Sequence, residues 1–133
     1  MAQNQVKIFD STLRDGSQGQ GISFSLEDKI KIVKALDEMP IDYIEAGNPG
    51  SNPKDMEFFK RLKAVELKNA KLVAFGSTRK PNINVEDDKN LKDLLSSGAD
   101  AIVIFGKSWD FQVTDIIKTS LDENIEMIKD TIK

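Results

Sequence analysis

Four short apolar runs with a β-branched bias, beginning near positions 6, 41, 71 and 101, constrain this chain more than any other feature of it. Each run is followed by a polar loop and then by apolar residues at helical spacing, so the chain reads as a βα unit repeated four times. The period is that of a βαβ element, roughly 30 residues, which predicts an α/β fold with parallel strands.

Val6–Phe9 reads as a buried strand, Ile41–Ala46 as the second, Leu72–Phe75 as the third and Ala101–Phe105 as the fourth. The last is wholly apolar, as a strand covered on both faces should be. Ser25 with Asp28 three residues on resembles a capping box, and Leu26, Ile30, Val33 and Leu36 share one helical face until Pro40. Asn52 caps a second helix with Pro53 in its first turn and Asp55 beside the positive end of the dipole, burying Met56, Phe59 and Leu62. Asn84 with Asp87 opens a third, whose Leu91, Leu94 and Leu95 face inward before Gly98 closes it. A helical turn follows near Val113 to Lys118. Ser120 with Glu123 then forms a capping box for a fourth helix carrying Leu121, Ile125, Ile128 and Ile132.

In parallel α/β folds the loops after the carboxyl ends of the strands carry the active site. The loop after the first strand contains Arg14-Asp15-Gly16, with further glycines at 19 and 21 that let backbone approach a ligand. An aspartate there can hold a hard divalent cation, and an arginine offers a fork of donors to a carboxylate or a developing alkoxide. Taken alone, such a tripeptide is a turn with a solvated charge. Glu45 ends the second strand, either as a catalytic group or as a rim residue paired with a cation such as Arg14. The loop Gly76–Asn82 exceeds the usual βα connection and offers Arg79 as an anion contact, with Lys80 solvated. The loop Gly106–Gln112 holds the only tryptophan, Trp109, as a packed lid residue or a substrate contact.

The composition is that of a soluble domain, 39% hydrophobic and 31% charged, without the ~18 consecutive apolar residues of a membrane helix. No membrane association is expected, and the start, Met1 to Lys7, has no apolar signal core, which makes a cytoplasmic protein the default. A net charge of −3 and the lack of a basic patch argue against nucleic acid as a partner. Cysteine is absent, which excludes thiol catalysis, and histidine is absent as well.

The run Phe9-Asp-Ser-Thr-Leu-Arg-Asp-Gly-Ser-Gln18 resembles the signature that opens the catalytic barrel of the isopropylmalate, homocitrate and citramalate synthases, with hydroxymethylglutaryl-CoA lyase more distant. Tyr43 to Asp55, Phe75-Gly-Ser-Thr-Arg79 and Phe105-Gly-Lys-Ser-Trp-Asp-Phe111 are similar to the citramalate synthase branch in particular. The resemblance implies the first four βα units of a TIM (β/α)8 barrel, residues 1–133 being the amino-terminal half of a domain that takes ~250 residues when complete. An open sheet of that kind leaves edges and apolar surface uncovered, which predicts a homo-oligomer.

In this family a divalent metal (Mg, Mn or Zn) holds a 2-oxo acid, and acetyl-CoA, the co-substrate, is deprotonated and attacks the keto carbon. The resemblance implies Asp15 as metal ligand, Arg14 as the group stabilising the keto oxygen, and Glu45 as a catalytic pocket residue. It assigns Gln18, Ser77, Thr78, Arg79 and Gln112 to substrate, with pyruvate the favoured acid. The family's other metal ligands are a His-x-His pair on a late strand, and Gln112 stands where relatives more often carry histidine. A chain without histidine is therefore expected to be inactive by itself. Two other readings stay open: a related synthase or lyase acting on another acid, and a non-catalytic half-barrel that assembles with a partner chain.

Overall fold

A computed structural model of the chain describes residues 6–133. The amino-terminal residues 1–5, part of the segment read as lacking a signal core, lie outside it. Four strands, β1 (Phe9–Asp10), β2 (Tyr43–Gly47), β3 (Lys71–Ser77) and β4 (Ala101–Phe105), alternate with four helices, α1 (Leu26–Glu38), α2 (Pro53–Leu62), α3 (Lys89–Ser96) and α4 (Leu121–Ile132). The strands lie in chain order β1-β2-β3-β4 and every pair is parallel. Four consecutive parallel units with covering helices make up half of an eightfold barrel.

Side chains alternate across the sheet, and the two faces do different work. Ile44 and Ala46 of β2 and Leu72 and Ala74 of β3 join Val33, Phe58, Phe59 and Leu94 in the core beneath the helices. The alternate positions Tyr43, Glu45, Val73 and Phe75 point to the opposite face, where Phe9 stacks on Tyr43 and Phe75 packs on Phe105. Gly76 falls on the helix side, where a Cβ would lie 2.1 Å from a Leu94 methyl.

The helix starts follow local chemistry. Ser25 and Asp28 form the reciprocal capping box, and Asn52 accepts from the Lys54 amide with Pro53 at the first helical position. Gly98 ends α3 with a φ of +76°, a conformation that favours glycine.

Several expectations are corrected. The first strand is Phe9–Asp10 rather than Val6–Phe9; Val6, Ile8 and Phe9 are exposed, and β1 pairs only with β2 among the described residues. β4 is the other edge, so its residues are half-buried to exposed instead of covered on both faces. Asn84 starts only a 3-10 turn (Val85–Asp87), and α3 is capped by Asp88, whose carboxylate accepts from the Leu91 amide. Leu95 is exposed while Phe58 is buried.

On α4 the buried residues are Asn124 and Met127, while Leu121, Ile125 and Ile132 are exposed. The helix is turned by one residue, roughly 100°, from the orientation its apolar stripe suggests. The cause is polar. Glu123, expected to close a capping box with Ser120, turns its carboxylate to Arg79, and Asp130 meets the same guanidinium.

Candidate active site

The site is built where the loop after β1 crosses the end of β2. Asp10 accepts from the Thr12 amide and hydroxyl at 3.0 and 2.9 Å, and the Asp15 and Gly16 amides close back on the Ser11 carbonyl. Leu13 is buried in the core and anchors this tight turn, so its neighbour Arg14 is carried to the opposite side. The Arg14 Nε donates to Glu45 Oε2 at 2.7 Å, and the Ser11 hydroxyl donates to the same oxygen. The guanidinium lies 4.1 Å from the centroid of the Phe75 ring, and its Nη1 approaches Asp15 Oδ1 at 3.2 Å.

Glu45 is 1% exposed, and these two donors satisfy the buried oxygen Oε2. The Asp15 side chain is 70% exposed, and among the described residues its Oδ2 accepts no hydrogen bond. The result is a half-buried cation, fixed on one edge and one face, beside an open carboxylate. Such a pair can neutralise charge developing on a substrate oxygen.

Three of the sequence-selected residues, Arg14, Asp15 and Glu45, come together. Gln18 ends an exposed 3-10 turn (Gly16–Gln18), and Ser77 is exposed at the end of β3. Thr78 is buried, its amide 3.4 Å from the Phe105 carbonyl. Gln112 opens a π-helical turn (Gln112–Ile116), a feature frequent at functional sites. Neither Gln18 nor Gln112 forms a side-chain hydrogen bond to the Arg14 group among the described residues.

Arg79 stands apart. Its guanidinium is buried, with Nη1 at 2.7 Å from Glu123 and Nη2 at 2.9 Å from Asp130, while its amide donates to the Thr131 hydroxyl. The bond to Glu123 raises its pKa against the effect of burial, and Asp130 adds to this. Its donors serve α4.

Ser11 and Phe75 are site residues that the sequence reading does not name. Counting by twos along β3 from the apolar Val73 puts Phe75 on the same face, but only the folded chain puts Arg14 above it. Asp55, read as a dipole partner, is buried and binds Lys29 Nζ at 2.7 Å and the Asn48 amide at 2.9 Å, locking the loop after β2.

Among the described residues no three carboxylates cluster at metal-binding distances, and the sequence has no histidine or cysteine. Asp15 can give a divalent ion one or two oxygens, so these residues alone do not make a complete metal site. No helix among them is long and apolar enough to cross a membrane.

The HMGL-like family profile matches residues 5–133. The (R)-citramalate synthases of Aquifex aeolicus and Geobacter sulfurreducens are 54% and 52% identical to this chain over 97% and 96% of it. A 2-isopropylmalate synthase of Pseudoalteromonas atlantica is 37% identical over 98%. Each match covers 24% of the relative, so the chain spans about a quarter of the length of these curated relatives. The structure of the Bacillus subtilis HMG-CoA lyase superposes with a TM-score of 0.70 at 20% identity, covering 96% of this chain and 41% of that one, a likeness of fold. With its parallel βα units, its Arg14-Asp15 loop and a profile match over nearly all its length, the chain belongs to the HMGL-like family.

Proposed function

We propose that residues 1–133 are the amino-terminal half of the catalytic barrel of an acetyl-CoA-dependent 2-oxo acid acyltransferase. Pyruvate is the favoured acid, as in a citramalate synthase. The observation that carries this reading is Arg14, held by buried Glu45 beside the open carboxylate of Asp15 at the carboxyl ends of parallel strands.

In this reaction the enolate of acetyl-CoA adds to the keto carbon of the acid, the keto oxygen gains charge as the new bond forms, and hydrolysis of the thioester releases coenzyme A. Arg14 donates to that oxygen through the edge that Glu45 leaves free. Glu45 acts by holding Arg14, and its burial keeps the pair out of competition with water. Asp15 would be one ligand of a divalent metal, which would supply further positive charge to the oxygens of the acid. To the acid this reading assigns Gln18, Ser77, Thr78 and Gln112. The remaining ligands and the general base come from outside these residues. The open edges of β1 and β4 suit a homo-oligomer, and the cytoplasm is the compartment proposed for it.

The test is a graft. Residues 1–133 replace the aligned segment of the Aquifex aeolicus citramalate synthase, and coenzyme A release from acetyl-CoA is followed with pyruvate and Mg²⁺ or Mn²⁺. Release that Asp15→Ala abolishes supports the reading, and a panel of larger 2-oxo acids separates it from a 2-isopropylmalate synthase. A folded graft that releases no thiol with any acid, while the parent does, sinks it. The 133-residue chain alone is expected to be silent in the same assay.

A further inference from the structure

Arg14 is held from three directions, and one of the holders has no charge. Glu45 takes its Nε edge and Asp15 touches Nη1, but Asp15 is mostly in solvent and that contact is the weaker. A single bond at Nε leaves the two terminal amino groups free to turn about the Nε–Cζ bond. The face contact with Phe75, 4.1 Å from Cζ to the ring centroid, removes that freedom. The ring is itself seated: Phe105 packs against it at 6.5 Å between centroids, tilted by 35°, and Lys107 Nζ lies 4.7 Å from the Phe105 centroid. The carboxyl ends of β3 and β4 thus carry a pair of packed rings with a cation against each.

We propose that Phe75 is a positioning residue for Arg14, its ring setting the plane of the guanidinium and hence the direction in which the unbonded donors meet an anionic oxygen. A guanidinium is weakly hydrated on its faces and is drawn to the negative face of an aromatic ring. An aliphatic side chain of similar bulk fills the same space without that attraction. The inference rests on the proposed acyl transfer only for the identity of the anion.

The test reads Arg14 directly. In this chain the rotation of the Arg14 guanidinium about its Nε–Cζ bond is measured by NMR in the wild type, Phe75→Leu and Phe75→Tyr, with backbone amide shifts as the check on folding. Phe75→Met replaces the leucine variant should the latter not fold. The aliphatic variant is expected to speed rotation roughly 3- to 30-fold, the range a cation–π contact supports. Tyrosine is expected to keep the wild-type rate, a rescue that a merely space-filling role does not require. Equal rates in wild type and aliphatic variant, or a tyrosine variant that behaves like the aliphatic one, overturn the proposal. A graft without thiol release overturns the acyltransferase reading and leaves the Arg14 rates as they are, so the two failures are distinguishable.

Discussion

Arg79 and Glu123, 44 residues apart in sequence, meet at 2.7 Å, and this bond ties α4 to the chain just after β3. The guanidinium is nearly out of solvent, with Asp130 on its other side at 2.9 Å. Arg79→Ala leaves two carboxylates without their cation and α4 without its anchor. It is expected to lower the unfolding free energy by about 2 kcal/mol, less than for a fully buried pair because both carboxylates keep contact with water. Urea denaturation checks this as a shift of midpoint at unchanged slope. An unmoved midpoint would mean that the network adds nothing to stability.

Asp37 gives the fold an acid-sensitive joint. Burial pushes its pKa up, but the amides of Ala70, Lys68 and Asn69 outweigh this and hold it below the usual carboxylate value. A lowered folded pKa means that this stabilisation is complete above the ordinary value of roughly 4 and is lost as pH falls through the folded one. Asp37→Asn offers one acceptor oxygen to three donors and is expected to cost about 1–3 kcal/mol near neutral pH. Stability followed from pH 7 to pH 2 should also lose part of its acid slope in the variant; an unchanged slope would place the acid sensitivity elsewhere.

Gly76 is needed for space. A Cβ would come within 2.1 Å of the buried Leu94, so Gly76→Ala is expected to destabilise by about 1–3 kcal/mol. Adding Leu94→Ala makes room for the methyl group, and a double-mutant cycle should show coupling of about 1 kcal/mol or more. Strict additivity would mean that the backbone of β3 moves instead.

In the grafted synthase, Arg14→Lys keeps the charge but loses both the fork that Glu45 holds and the flat face against Phe75. Coenzyme A release is expected to fall roughly 100-fold, the scale of losing one oriented donor to a developing oxyanion. The readout is kcat for pyruvate at saturating acetyl-CoA. A variant that loses only affinity would make Arg14 a binding group.

The sequence by itself determined the order and type of the elements. The fourth strand falls on Ala101–Phe105 as read, and the starts of α1 and α2 fall on Ser25 and Asn52. The two caps rest on contacts within two or three residues and the strand shows as an unbroken apolar run, so a local reading contains them. Arg14, Asp15 and Glu45 were likewise visible as polar residues at strand ends. Tertiary structure decided which face of α4 is buried, that Arg79 serves Glu123 and Asp130, and that Phe75 lies against Arg14. Burial and pairing depend on which distant segment arrives next to a residue. Among the described residues β1 pairs only with β2, and its Phe9 is exposed although apolar.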